Sequence, residues 1–134
     1  MSQESRVKSQ EKKTIKSFTD LIAWQKAHAF AVAVYKNTVN FPPGEQFGLT
    51  NQIRRASVSV PSNIAEGFGR RTVPDRTHFY DMARASLAEV QSQLLLSRDV
   101  GYLLKQVFEV LAEQSVDVHK LLTGLINATR KRSS

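Results

Sequence analysis

Cysteine is absent from this 134-residue chain. Its absence excludes disulfides, a thiol nucleophile and the common zinc-finger ligand sets. Long apolar runs are also missing. The longest, Ala29-Phe30-Ala31-Val32-Ala33-Val34-Tyr35, has seven residues, against about 20 for a helix that spans a bilayer. The N-terminus carries charge but no apolar h-region follows it, so it does not read as a secretory signal. These absences predict a soluble, cytoplasmic protein with no membrane partner. Alternation of period two is lacking over any convincing length, and there is no Asn-Gly or Asp-Gly hairpin turn. No Glu is followed three residues later by His, which removes the di-iron reading that helix bundles invite.

Catalytic patterns are equally scarce. Ser57, Ser59 and Ser62 surround Pro61 without a Gly-x-Ser-x-Gly or Ser-x-x-Lys arrangement. Gly67-Phe68-Gly69-Arg70-Arg71 lacks the Lys-Ser/Thr pair of a phosphate loop and follows a helical pattern, not a strand. His28, His78 and His119 fall on three different helices at heights that leave a three-histidine metal site open. However, His78 is off its helix's apolar stripe, and capped or surface histidines are the simpler reading. The expectation is a non-enzymatic protein with no cofactor and no metal.

What the sequence does have is helical periodicity and positive charge. Hydrophobic residues make up 41%, enough for a core. Thr19 or Asp20 can cap a first helix that runs to about Asn40 and stops at Phe41-Pro42-Pro43-Gly44. That helix has two apolar stripes, Leu21/Trp24/His28/Ala31/Tyr35 and Ala23/Ala27/Phe30/Val34. A monomer's core needs one stripe. The second, with Ala23, Ala27, Phe30 and Val34, is read as an oligomer interface, and an unusually central helix is the alternative.

A second helical segment covers about Glu45 to Glu66 with Pro61 inside it. It either kinks there or ends and restarts on Asn63-x-x-Glu66, and the kink leaves the more regular helix. A third helix starts at Thr72-x-Pro74-Asp75 and ends near Tyr102, with the stripe Phe79, Met82/Ala83, Ser86/Leu87, Val90 and Leu94. A fourth runs from about Lys105 to Ala128 through Leu111, Ser115, Val118, Leu122 and Leu125/Ile126. Four helices with short connections predict an all-α, antiparallel up-down-up-down four-helix bundle with a proline-kinked second helix over residues 18–129.

The net charge is +7, from 19 Lys+Arg against 12 Asp+Glu. Residues 1–17 carry a net +3, residues 130–134 another +3, and residues 18–129 only +1. The two ends therefore read as basic tails, the first of them mobile, on a nearly neutral body. Within the body, Arg54-Arg55 and Arg70-Arg71 bracket the second segment. Arginine forks suit phosphates, so these four are the candidate nucleic-acid contacts, with pairing to local acids as the alternative. Glu109, Glu113 and Asp117 form a ladder on the fourth helix, read as a solvated face or a set of interface salt bridges.

At Val60-Pro61-Ser62-Asn63-Ile64-Ala65-Glu66-Gly67, preceded by Gln52-Ile53-Arg54-Arg55-Ala56, the chain resembles a known family. These are the four-helix bundle proteins encoded within intervening sequences of bacterial 23S ribosomal RNA genes, also called the S23 ribosomal family. The resemblance extends from Phe18 to about Leu125 through Phe18-x-x-Leu21-x-x-Trp24-Gln25-Lys26-Ala27, Tyr35, Phe41-Pro42, Glu45-x-Phe47-Gly48-Leu49, Ala85-x-x-x-Glu89 and Gly101-Tyr102. It implies a homopentameric ring with a basic surface around a central passage. It also implies relatedness to accessory variability proteins of diversity-generating retroelements, which bind nucleic acid and a reverse transcriptase. Matched residue by residue, it carries over Arg54, Arg55, Ser59, Pro61, Asn63, Glu66 and Gly67. On physical grounds Pro61 would be a kink whose freed groups Asn63 and Glu66 satisfy.

The leading expectation is thus an oligomer that binds RNA or DNA through phosphates with little base preference. An adaptor for a protein partner such as a reverse transcriptase is the alternative.

Overall fold

The computed structural model describes residues 14–132. Among them are four α-helices, α1 (Ile22–Asn37), α2 (Leu49–Phe68), α3 (Val73–Asp99) and α4 (Lys105–Lys131), and no strand. Each helix packs against two others: α1 on α2 and α4, and α3 on α2 and α4, with the α2–α3 contact the most extensive.

The start of α1 differs in detail from the expected cap. Ser17 caps a 3-10 turn at Phe18–Asp20, and Asp20 closes the capping box by accepting from the Ser17 backbone N–H. Ile15 packs against the core. The folded body therefore reaches back into residues 14–17 of the expected basic tail, whose residues 1–13 lie outside the described residues. At the other end α4 continues through Arg130 to Lys131, and Arg130 Nη2 lies 3.9 Å from Asp81 Oδ2 on α3. Those two cations are helical, not part of a tail. The reason is that Leu125, Ile126, Ala128 and Thr129 are all buried and carry the helix past the expected stop.

The predicted cap of α3 is present. Thr72 Oγ1 accepts from the Asp75 N–H at 3.2 Å, and Pro74 sits in the first turn. Its buried stripe is Tyr80, Ala83, Leu87, Val90 and Leu94, so Phe79 gives way to its neighbour. The turn after α3 needs Gly101, the described residue with positive φ (84°), a backbone shape that glycine adopts without strain.

α2 runs as one helix through Pro61, whose ring is buried among the core residues. Proline has no N–H to give to the Ser57 carbonyl one turn back. Asn63 does not repair that loss. Its Nδ2 donates to the Ser59 carbonyl at 2.8 Å and to Ser59 Oγ at 3.0 Å, and Ser59 Oγ shares a 2.8 Å hydrogen bond with Ser86 of α3. Glu66 pairs instead with Arg70, at 3.1 Å. Asn63 and Glu66 each sit four residues from these partners, the spacing that brings side chains together on one helix face.

The stripe assigned to an oligomer interface proves to be the protomer's own core. Ala23, Ala27, Phe30 and Val34 are all at most 1% exposed. The two alanines let α1 approach its neighbours closely; of the other stripe, Leu21 and Ala31 are also buried, Trp24 is partly buried against the core and Tyr35 is exposed.

Candidate nucleic-acid interface

The four candidate arginines do not form one site. Arg54 and Arg55 sit near the start of α2, and Arg70 and Arg71 lie just past its end; the helix's 20 residues span about 30 Å.

Arg54 is occupied by the fold. Its Nε donates to Thr38 Oγ1 at 2.9 Å, its Nη2 to the Tyr35 carbonyl at 3.3 Å, and its guanidinium lies 4.8 Å from the Tyr35 ring centroid. Thr38 in turn donates to the Val34 carbonyl at 2.9 Å. Arg54 thus donates to the Tyr35 carbonyl and the Thr38 hydroxyl at the C-terminus of α1, where the helix dipole favours a cation. Sequence could not expose this role, because the main acceptors lie 16 and 19 residues away. Arg55 is exposed beside Asn51, Gln52, Ser59 and Glu89 and makes no ion pair among the described residues.

Arg70 is partly committed: besides Glu66, it lies 4.5 Å from the Phe79 ring centroid. Its carbonyl accepts from Arg76 Nε at 2.7 Å, which stitches the α2–α3 turn to α3. Arg71 is exposed and makes no ion pair among the described residues. Of the four, Arg55 and Arg71 have guanidinium groups open to a phosphate.

A second surface feature is apolar. A groove of about 620 Å³ runs between α1 and α2, floored by Ala31 and Pro61 and walled by Trp24, Tyr35, Val58 and Ala65. Trp24 stacks on His28 with centroids 4.8 Å apart and meets Phe18 edge-on at 5.2 Å. Val58 and Tyr35 are 40% and 42% exposed. Of these, Trp24, His28, Ala31 and Tyr35 belong to the first apolar stripe of α1.

One polar link escaped the residue-level reading. Glu45 Oε1 accepts from the Leu49 N–H at 3.2 Å and so caps α2, while its Oε2 accepts from the Tyr102 hydroxyl at 2.9 Å. This hydrogen bond, then burial, then the carboxylate's charge raise the Tyr102 pKa above its ordinary value. Both residues stand in stretches that carry the family resemblance, and that was the available signal.

Among the described residues no three His, Cys, Asp or Glu side chains cluster as a metal ion requires, so His28, His78 and His119 do not assemble into a site. No described helix is long and apolar enough to cross a membrane.

Four long helices, each packed on two neighbours, with no strand among the described residues, define an all-α four-helix protein. A crystal structure of a protein with unknown function from the S23 ribosomal protein family of Bacteroides thetaiotaomicron has this fold, with a TM-score of 0.71 and 26% identity over 78% of this chain and 98% of that one. The profile of the 23S rRNA-intervening sequence proteins matches residues 19–124, and the chain belongs to that family. No curated protein matches it.

Proposed function

We propose that this chain is a non-enzymatic, self-assembling four-helix protein that binds RNA or DNA through phosphate contacts with little base preference. The observation that carries the reading is the +7 net charge, with Arg55 and Arg71 exposed and free of ion pairs among the described residues. The family's association with ribosomal RNA genes agrees with it. Lys and Arg contacts to phosphate hold register but do not read bases, and they release counterions. Anisotropy titration of a short labelled RNA and its DNA counterpart tests this. Both should bind at about 50 mM salt and lose at least tenfold in affinity by about 200 mM. No binding at the lower salt sinks the reading.

An up-down-up-down antiparallel order is the arrangement proposed within the protomer. In its support, Ser59 bonds Ser86 while Gly67, further along α2, abuts Tyr80, earlier in α3. For the assembly, a ring of copies, pentameric as in similar proteins, is proposed to close through the α1–α2 groove. The groove has Trp24, Tyr35 and Val58 to offer where Ala23, Ala27, Phe30 and Val34 have none of their surface left. If the groove takes a different protein, such as a reverse transcriptase, the isolated chain will be monomeric at micromolar concentration and the adaptor reading replaces this one.

A further inference from the structure

We infer that the polyanion-binding surface is a single pole of the protomer, built where the α2–α3 turn, the C-terminus of α4 and the start of the folded chain converge. This rests on the nucleic-acid reading above and narrows it to the end that holds Arg71, leaving Arg55, near the start of α2, outside the surface.

Three contacts bring those segments together. The 3-10 turn holding Phe18 shares the α1–α2 groove with Pro61, Ser62 and Ala65, the last turns of α2, so the chain's entry lies at the end where α2 finishes. Arg76 donates to the Arg70 carbonyl, and a side chain at Gly67 would strike Tyr80, so α3 begins at that same end. Arg130, in the last turn of α4, reaches Asp81 in the third turn of α3.

The charge follows this geometry. Residues 14–20, 66–84 and 128–132 hold eight Lys and Arg against four Asp and Glu, a net +4. The remaining described residues, 21–65 and 85–127, hold seven against six. Among the described residues the excess is therefore +4 at this pole against +1 elsewhere. The loops at the other end present apolar side chains instead: Val39, Phe47 and Leu104 are 68%, 88% and 72% exposed.

Charges that would each be weak alone add where they face one way within about a Debye length, ~8–10 Å, of one another. Phosphodiester backbone is the partner this pole fits. It offers arginine and lysine, while its aromatics are engaged within the fold: Phe79 lies under the Arg70 guanidinium, Tyr80 is buried, Phe68 packs on the core and Phe18 meets Trp24 edge-on. The pole should therefore read charge density and not sequence.

The test uses the full chain and a short labelled single-stranded RNA. The double variant Arg71→Glu/Lys131→Glu reverses two charges at the pole. Lys105→Glu/Lys120→Glu makes the same charge change away from it. Both pairs are exposed, and both variants should keep the wild-type helical circular dichroism. The pole variant should bind at least tenfold more weakly and lower the slope of log affinity against log salt by about 1.4, or two single-strand phosphate contacts. The control should hold the wild-type slope. Equal loss in both variants, or loss in neither, overturns the pole while leaving nucleic-acid binding intact. A wild-type chain that binds no RNA at low salt overturns the functional reading itself, and the pole with it.

Discussion

A Cβ placed on Gly67 would lie 2.7 Å from Tyr80 Cε1 and 3.1 Å from the Arg76 carbonyl oxygen. Tyr80 is 2% exposed, so its ring is held by the core around it. The end of α2 can approach the start of α3 this closely because residue 67 has no side chain. This contact also sets the position of the turn that carries Arg70 and Arg71.

Gly67→Ala should therefore destabilise the protein even though alanine is the better helix former by about 1 kcal/mol. Overpacking of a filled site costs about 1–3 kcal/mol, and the net expectation is about 1 kcal/mol lost in urea denaturation. In a Tyr80→Leu background the ring edge is gone and the penalty for Gly67→Ala should shrink. It should not vanish, because the Arg76 carbonyl remains in place. Equal penalties in both backgrounds would show that the ring is not the obstacle.

Arg54 should behave as part of the fold and not as a phosphate ligand. Arg54→Ala removes the donors to Thr38 and to the Tyr35 carbonyl at the end of α1. A loss of about 1–2 kcal/mol is expected, combining hydrogen bonds with the helix-end cation. Arg54→Lys should recover less than half of it, since one ammonium cannot reproduce the fork and lie flat on Tyr35. Nucleic-acid affinity at fixed salt should fall no more than for removal of any single positive charge. A tenfold or greater loss of binding with stability unchanged would return Arg54 to the interface.

How much was legible follows from which interactions are local. The Thr72 cap and the buried positions Ala83, Leu87, Val90 and Leu94 follow from periodicity and turn chemistry. By contrast, α1 ends at Asn37, short of the expected stop at Pro42-Pro43, and Thr38 bonds back to the Val34 and Tyr35 carbonyls. The choice between the two faces of α1 does not follow from periodicity either, because both are apolar and only the packed structure tells which one α2 and α4 cover. Phe79 and Tyr80 pose the same problem on a smaller scale: two adjacent aromatics fit the stripe, and the close approach of Gly67 selects Tyr80. The roles of Arg54 and Glu45 were hidden because their partners, Tyr35 and Tyr102, lie 19 and 57 residues away. The convergence of the basic segments on one pole likewise needs the third dimension.

The Glu45–Tyr102 hydrogen bond predicts a titration. Tyr102 ionises above the ordinary tyrosine value of about 10, because its phenol donates to a carboxylate that would repel the phenolate. A group whose folded pKa is raised adds stability that is complete below its unfolded value and is lost as pH rises through the folded one. The link between the α2 cap and the α3–α4 turn should therefore hold at neutral pH and fail on the alkaline side of 10. Absorbance titration of phenolate should show one step on the alkaline side of 10 missing in Tyr102→Phe. A variant that titrates like wild type would remove Tyr102 from this role.

Self-assembly through the α1–α2 groove makes a prediction that its original assignment could not. Substitutions at Ala27 or Phe30 would unfold the protomer, whereas Val58 is 40% exposed and can change without touching the core. In the isolated protomer an aspartate at position 58 stays hydrated and costs little. Enclosed by a neighbouring copy it would have to lose its water without a partner, an expensive step. Val58→Asp should therefore reduce the mass seen in light scattering to that of a 15.1 kDa protomer while helical circular dichroism is kept. Val116→Asp, at a 47% exposed site on α4 outside the groove, should leave the assembly as it was. If Val58→Asp keeps the wild-type mass, or Val116→Asp alone breaks the assembly, the copies meet elsewhere and the groove is open to a different protein.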